Sequence, residues 1–272
     1  MTFHSSLVLV AVLVSLIDSI CSINVTCSTN GGNGCLSLCT SSPCTMTFSS
    51  SVTYIGFLAL SSCNKLTSVT IPTTVTSIEE AAFYKCRSLT SITIPNTVTN
   101  MGSRAFYECT ALTSVIIPSS ITSINEWAFG WCTSLKSVAI PDTITTIGNM
   151  AFYHTSLTSV TIPTSVTIIG NEAFKSCTSL TSVTVPNRVS TIGDRTFSSC
   201  TSLKSVSLPN SVTNIGYRAF FYCTSLTSIT LPSSVTSIND EAFSLCYSLT
   251  SVTIPASVTR IGEYKIQYCM ST

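Results

Sequence analysis

Charge is what this sequence has least of. Lys and Arg number 12 and Asp and Glu 11 in 272 residues, 8% of the chain, for a formal net charge of +1. An average soluble domain carries roughly 25% charged residues. The scarcity excludes the basic footprint with which proteins hold nucleic acid or an anionic membrane. Histidine is rarer still: there are 2, and only His154 lies beyond the first 22 residues, so a His-dependent triad would have a single candidate base. The carboxylates are scattered, and the adjacent pairs Glu79-Glu80 and Asp240-Glu241 would point apart on a helical turn. No H-E-x-x-H, phosphate loop or paired C-x-x-C is present. The chain therefore reads as a non-enzyme with no catalytic residues, no metal site and no cofactor. It does not read as disordered, because 44% of its residues are apolar.

Long apolar runs are equally scarce. The one clear case, Leu7 to Ile17, is too short to span a bilayer and is followed by Ser19, Cys21 and Ser22. It predicts a secretory signal over 1–22, and no transmembrane span in the mature chain. Asn24-Val25-Thr26 then places an N-glycosylation acceptor at Asn24. Cys27, Cys35, Cys39 and Cys44 crowd the next stretch with Gly31, Gly32, Gly34 and Pro43. In an oxidising compartment this predicts a disulfide-stapled cap over 23–47, with all three pairings open. Zinc is the weaker alternative, since no His is near and the cysteine spacings form no paired knuckles.

Residues 48–272 are organised by a repeat. Leu66, Leu89, Leu112, Leu135, Leu157, Leu180, Leu203, Leu226 and Leu249 recur every 23 residues, with one step of 22, and Pro72 to Pro255 follow in phase. A fixed period in this range over nine units predicts a solenoid. In the unit starting at Leu89, alternation through Ile92 and Ile94 predicts a short half-buried strand stopped by Pro95. Gly102 heads a column of Gly and Asn (Asn125, Gly148, Gly170, Gly193, Gly216, Asn239, Gly262), which predicts a left-handed turn; Glu79 breaks it. Ala105-Phe106-x-x-Cys109 predicts about one helical turn.

The unit LTSVTIPxSVTxIGxxAFxxCTS resembles the leucine-rich repeat of BspA-like (treponemal-type) surface proteins. The resemblance covers about three quarters of the chain; Tyr264-Lys265-Ile266 departs from it where Ala-Phe is expected. It implies an α/β solenoid of about nine 23-residue repeats, with a parallel sheet on one face and short helical or 3₁₀ turns on the other. It also implies a secreted or cell-surface protein that adheres to an extracellular host or matrix protein; a glycan is the alternative partner, suited to the hydroxyl array on the sheet face. The alternative is a coat component that self-associates through its C-terminal sheet edge.

Two surfaces follow. The outward strand positions (Ser68, Ser91, Ser114 and their copies, then Thr70, Thr93, Ile116 and theirs) are nearly uniform and suit a pleated ladder better than a specific address. Variation lies on the segment expected to be helical, where residues four apart would share a face. There Arg104, Tyr107, Glu108, Trp127, Trp131, Tyr153 and His154 form the candidate binding patch, since aromatics and Arg make interface hot spots. Packing over the joints between repeats is the competing account of the same rings. The cysteine column from Cys63 to Cys269, with Thr155 in place of one copy, predicts small buried side chains in preference to disulfides.

Overall fold

The computed structural model describes residues 23–27 and 43–263. Apolar alternation over short runs produces short strands and nothing longer. β1 (Ile23–Cys27) and β2 (Cys44–Phe48) come first, followed by β3 (Tyr54–Ile55). With one exception, each later coil then supplies a two- to five-residue strand before its proline and a two-residue strand after it. These are β4 (Leu66–Thr70) and β5 (Ser77–Ile78), β6 (Ser91–Thr93) and β7 (Asn100–Met101), and β8 (Ser114–Ile116) and β9 (Ser123–Ile124). β10 (Ser137–Ala139) and β11 (Thr146–Ile147) follow, and the next coil contributes β12 (Ile168–Ile169) alone. The remainder are β13 (Ser182–Thr184), β14 (Thr191–Ile192), β15 (Ser205–Ser207), β16 (Asn214–Ile215), β17 (Ser228–Thr230), β18 (Ser237–Ile238), β19 (Val252–Thr253) and β20 (Arg260–Ile261).

All pairing is parallel and in register from coil to coil, as in Ser68↔Ser91 and Ser182↔Ser205. One series runs β1-β2-β4-β6-β8-β10 and resumes as β13-β15-β17-β19; the other runs β3-β5-β7, β9-β11-β12 and β14-β16-β18-β20. The segment expected to be a cap thus supplies β1 and β2, which extend the main sheet. Their register sets Ile23 opposite Cys44 and Cys27 opposite Phe48. Cys27 and Cys44 stand four positions apart, about 13 Å along the strands, beyond the Cα reach of a disulfide. The pairings left to the cap use Cys35 and Cys39, which lie outside the described residues, as do the signal segment 1–22 and residues 264–272.

The core is a stack of columns. Leu66, Leu89, Leu112 and their copies are buried, as are the strand residues Val69, Ile92 and Val115. Phe83, Phe106, Phe129, Phe152, Phe174, Phe197, Phe220 and Phe243 form one continuous ladder of stacked rings 5.1–5.6 Å apart. No single coil could bury these rings; stacking gives each ring a neighbour on either side. The Ser/Thr richness has a structural use. Hydroxyls of Thr90, Thr113 and Thr181 donate to carbonyls one coil back, at 3.2–3.4 Å, and Ser120, Ser165, Ser211 and Ser234 do so in a second column. In the second column, where the bonds are part-buried, uncharged donors satisfy backbone that a charged side chain could reach only by losing solvent.

Two expectations are corrected. Among the described residues there is no helix of any kind, so the α/β assignment gives way to an all-β solenoid. The Ala-Phe-x-x-Cys segment alternates its donors instead. Trp127, Phe129 and Trp131 donate their N–H to Asn149, Ala151 and Tyr153 of the next coil, at 2.7–3.0 Å. Ala128, Gly130 and Cys132 bond back three residues, to Asn125, Trp127 and Phe129, at 3.1–3.2 Å. A segment this short cannot support a helix nucleus, whereas the inter-coil ladder repeats in every unit. Directing alternate N–H groups outward requires left-handed backbone at two positions per unit, as at Arg104 (φ 57°), Glu108 (φ 59°), Trp127 (φ 58°) and Trp131 (φ 60°). The glycine column is not the left-handed position. Where the column holds glycine, the coils approach closely: a Cβ on Gly148 would lie 2.8 Å from the backbone N of Glu126, and one on Gly216 2.6 Å from the carbonyl carbon of Gly193.

Candidate functional site

The turn segment carries the variable side chains, and the fold aligns them by coil instead of by helical turn. Residues four apart do not pair. Trp131 meets Tyr153 (5.9 Å) and His154 (4.2 Å) of the next coil, and Trp127 meets Tyr107 on one side (5.4 Å, edge-on) and Tyr153 on the other (5.3 Å). Tyr84 stacks on Tyr107 at 5.2 Å, starting the row one coil earlier.

Trp127 and Trp131 differ in role. The column after the core phenylalanine reads Tyr84, Tyr107, Gly130, Tyr153. Gly130 leaves a gap in it, and the Trp127 indole fills that gap: a Cβ on Gly130 would lie 2.6 Å from Cε3 of Trp127 and 3.3 Å from Cδ2 of Tyr107. Trp127 is therefore a wedge completing an aromatic row. Lys175 extends the row, its Nζ 5.3 Å from the Tyr153 ring centre. Trp131 is the exposed member at 36%, with its backbone fixed by the hydrogen bond to Tyr153.

The charged members of the patch are held in ion pairs between coils. Arg104 meets Glu80 at 3.4 Å; Glu108 takes a hydrogen bond from Nε of Arg87 at 3.1 Å and faces Lys85 at 3.6 Å. Burial pushes the Tyr107 phenol above its ordinary pKa, and the Glu108 charge adds to the effect. Hydrogen bonding to Tyr84 and then the charge of Glu108 raise Lys85. All seven candidate residues thus lie on one edge, with Trp131 the most exposed, Tyr107, Trp127, Tyr153 and His154 half-buried beside it, and Arg104 and Glu108 at the flank. Asn24 lies in β1, in register with Thr45.

The cysteine column is made of buried thiols. Sγ of Cys109, Cys132, Cys177, Cys200 and Cys223 each donates to the carbonyl of a phenylalanine one coil back (Phe83, Phe106, Phe152, Phe174 and Phe197) at 3.1–3.2 Å. Burial raises the thiol pKa, to about 12 for Cys132 and Cys223 and about 11 for Cys177, so these sulfurs are not nucleophiles. Thr155 fills the column in the shortened unit, its hydroxyl 3.1 Å from the Phe152 carbonyl and 3.2 Å from Cys177 Sγ. Among the described residues no three His, Cys, Asp or Glu side chains are grouped to hold a metal, and no helix is long and apolar enough to cross a membrane.

The family is decided by a match to the model of the BspA type leucine rich repeat region, in six copies, over residues 29–155 and 145–272. The chain belongs to the BspA-type leucine-rich repeat family. Its fold is similar to a leucine rich cell surface protein of Faecalibacterium prausnitzii, at 28% identity and a TM-score of 0.57 over 92% of this chain and 86% of that one. A leucine-rich repeat protein of Bacteroides ovatus is similar at 26% identity and 0.56, over 83% and 76% of the two chains. One of Eubacterium ventriosum shares the fold at 22% identity and 0.59, over 84% and 83%. No curated protein sequence matches significantly.

The sequence reading missed a second group of rings on the same edge. Tyr222 and Tyr247 are 40% and 51% exposed and meet edge-on at 6.4 Å. Behind them Tyr217 lies between the guanidinium groups of Arg195 (4.8 Å) and Arg218 (4.9 Å), and Arg218 is bound through two hydrogen bonds of 2.9 Å to Glu241. The signal was present in Phe221-Tyr222 and in Tyr247, which replaces the Thr that follows Cys109, Cys132, Cys177, Cys200 and Cys223.

Proposed function

We propose that this BspA-type solenoid is a secreted or cell-surface adhesion protein that binds an extracellular ligand through its turn edge and catalyses nothing. The observation that carries this reading is the Trp131–His154 pair, 4.2 Å apart on a platform formed by Trp127 and Tyr153, with Trp131 exposed and His154 half-buried. Rings with fixed backbone and packed, half-buried supports lose little conformational entropy on binding, which is why hot spots favour them. Location at the surface is supported by the apolar segment at 7–17 and by the description of the Faecalibacterium prausnitzii protein as a cell surface protein. The mature chain starts near residue 23 and carries its glycan acceptor at Asn24, within the terminal strand β1. Its cap cysteines Cys27, Cys35, Cys39 and Cys44 are disulfide-bonded in that compartment.

The test is attachment of the purified protein to cultured cells and to matrix-coated surfaces. Trp131→Ala combined with His154→Ala is expected to weaken attachment about tenfold or more while leaving the unfolding midpoint close to wild type. Undiminished attachment of the double variant would remove this patch from the binding surface.

A further inference from the structure

Tyr222 occupies the same column as Trp131 and His154, which reads Lys85, Glu108, Trp131, His154, Ser176, Ser199, Tyr222, Leu245 along the solenoid. Rings thus stand at both ends of a stretch whose two middle positions are serines. With about 4.8 Å per coil, Trp131 and Tyr222 are roughly 19 Å apart along the axis. The charges beside this row are paired within it: Glu172 with both Lys175 (2.8 Å) and Arg195 (3.4 Å), and Arg218 with Glu241 (2.9 Å). Its main chain is also occupied. The N–H groups of Trp131, His154, Ser176, Ser199 and Tyr222 all donate to carbonyls of the next coil, at 2.7–2.9 Å. A peptide strand could find no backbone donor here to pair with, and each of these charged side chains already has a partner within the row. Ring faces and hydroxyls are what remain.

We propose that the row from Trp131 to Tyr247 is a single extended site for a neutral oligosaccharide, with the Trp131–His154 pair and the Tyr222–Tyr247 pair as its two stacking ends. A pyranose ring presents apolar C–H faces to aromatic rings and hydroxyls to serines, which matches that inventory. This rests on the turn edge being the binding surface. It goes further by naming the ligand class and adding the second contact. Two weak contacts on one rigid frame raise affinity for a chain long enough to reach both, through effective concentration.

The experiment is calorimetric titration with neutral linear oligomers of two to six units: β-1,4-glucose, β-1,3-glucose, β-1,4-N-acetylglucosamine and α-1,4-glucose. The same variants are then assayed for attachment to cells before and after enzymatic removal of surface glycans. At least one series is expected to bind, with affinity rising until the oligomer spans the row. Tyr222→Ala with Tyr247→Ala is expected to weaken the long oligomers about tenfold and leave the dimer unchanged, while Tyr222→Phe retains binding because the ring is what matters. Thermal unfolding of each variant separates lost binding from lost fold. The inference is overturned if no oligomer binds, or if the two-tyrosine variant binds long oligomers as wild type does. Attachment that needs Trp131 but survives glycan removal also overturns it, by assigning the edge to a protein ligand; the adhesion reading then stands alone. Attachment indifferent to Trp131 overturns both.

Discussion

At the residue scale, conformation and burial are dictated by position in the coil more than by side-chain type. Trp127 and Trp131 both adopt left-handed backbone, which costs a non-glycine residue about 1 kcal/mol or more. Both are repaid by N–H groups delivered to the next coil. The thiols show the same dominance of place. A group whose folded pKa is raised holds a proton that the unfolded chain has released, so it favours folding below its unfolded pKa and loses that contribution as pH rises. Cys132 and Cys223 rise from 9.0 to about 12 and Cys177 to about 11. Under reductant, stability should not vary with these thiols below about pH 8, and should fall between about pH 9 and pH 12. Urea midpoints at about pH 7 and pH 10.5 measure this. Cys132→Val with Cys223→Val should show a shallower decline than wild type, and equal declines would count against the thiol origin.

At the element scale, the strands were legible and the turn was not. Alternation such as Ser91-Ile92-Thr93 appears directly as exposed, buried, exposed, because period two is imposed by the strand itself. The Phe-x-x-Cys spacing and the pair Trp127/Trp131 fit a helix equally well on paper. Nothing local excludes that reading, because the ladder replacing the helix lies between residues about 23 apart. The Gly130 gap was visible in the tyrosine column, but that Trp127 fills it while Trp131 stays exposed depends on the turn geometry. The glycine column is a further case: tolerance of positive φ and lack of a Cβ predict the same residue for different reasons. The structure decides for lack of a Cβ, and Gly216→Ala follows as a test. Its methyl would lie 2.6 Å from the carbonyl carbon of Gly193 and 2.8 Å from the N of Asp194. Separating the coils there should destabilise the chain by about 1–3 kcal/mol. Gly216→Asn should be milder, since Asn125 in the same column returns a hydrogen bond from Nδ2 to the Met101 carbonyl at 2.7 Å. An alanine variant as stable as wild type would return the column to a conformational explanation.

For the whole molecule, the one irregular unit matters most. The step from Leu135 to Leu157 is 22 residues, and Thr155 stands where its neighbours have Cys132 and Cys177. The main strand series is interrupted next to it, β10 and β13 having no strand between them, while the second series divides there between β12 and β14 as it also does between β7 and β9. The phenylalanine ladder crosses this boundary without a break, Phe152 to Phe174 at 5.5 Å, so the core is continuous where the hydrogen-bonded sheets are not. In a solenoid each coil is stabilised only by its neighbours, so a weak interface lowers cooperativity at that point while the rest keeps its own. Opening should then start at the ends and at this boundary. Native-state hydrogen exchange is expected to show faster exchange for amides in 159–162 than for those in β8 or β15, with protection rising again on both sides. Replacing Ile162, 7% exposed in that coil, by alanine should speed exchange there more than in β8 or β15. Uniform protection across 114–207 would mean that the phenylalanine ladder and the turn hydrogen bonds crossing the boundary, such as Phe152 N–H to the Ala173 carbonyl at 2.9 Å, couple the two halves into one cooperative unit, and that the missing residue weakens nothing.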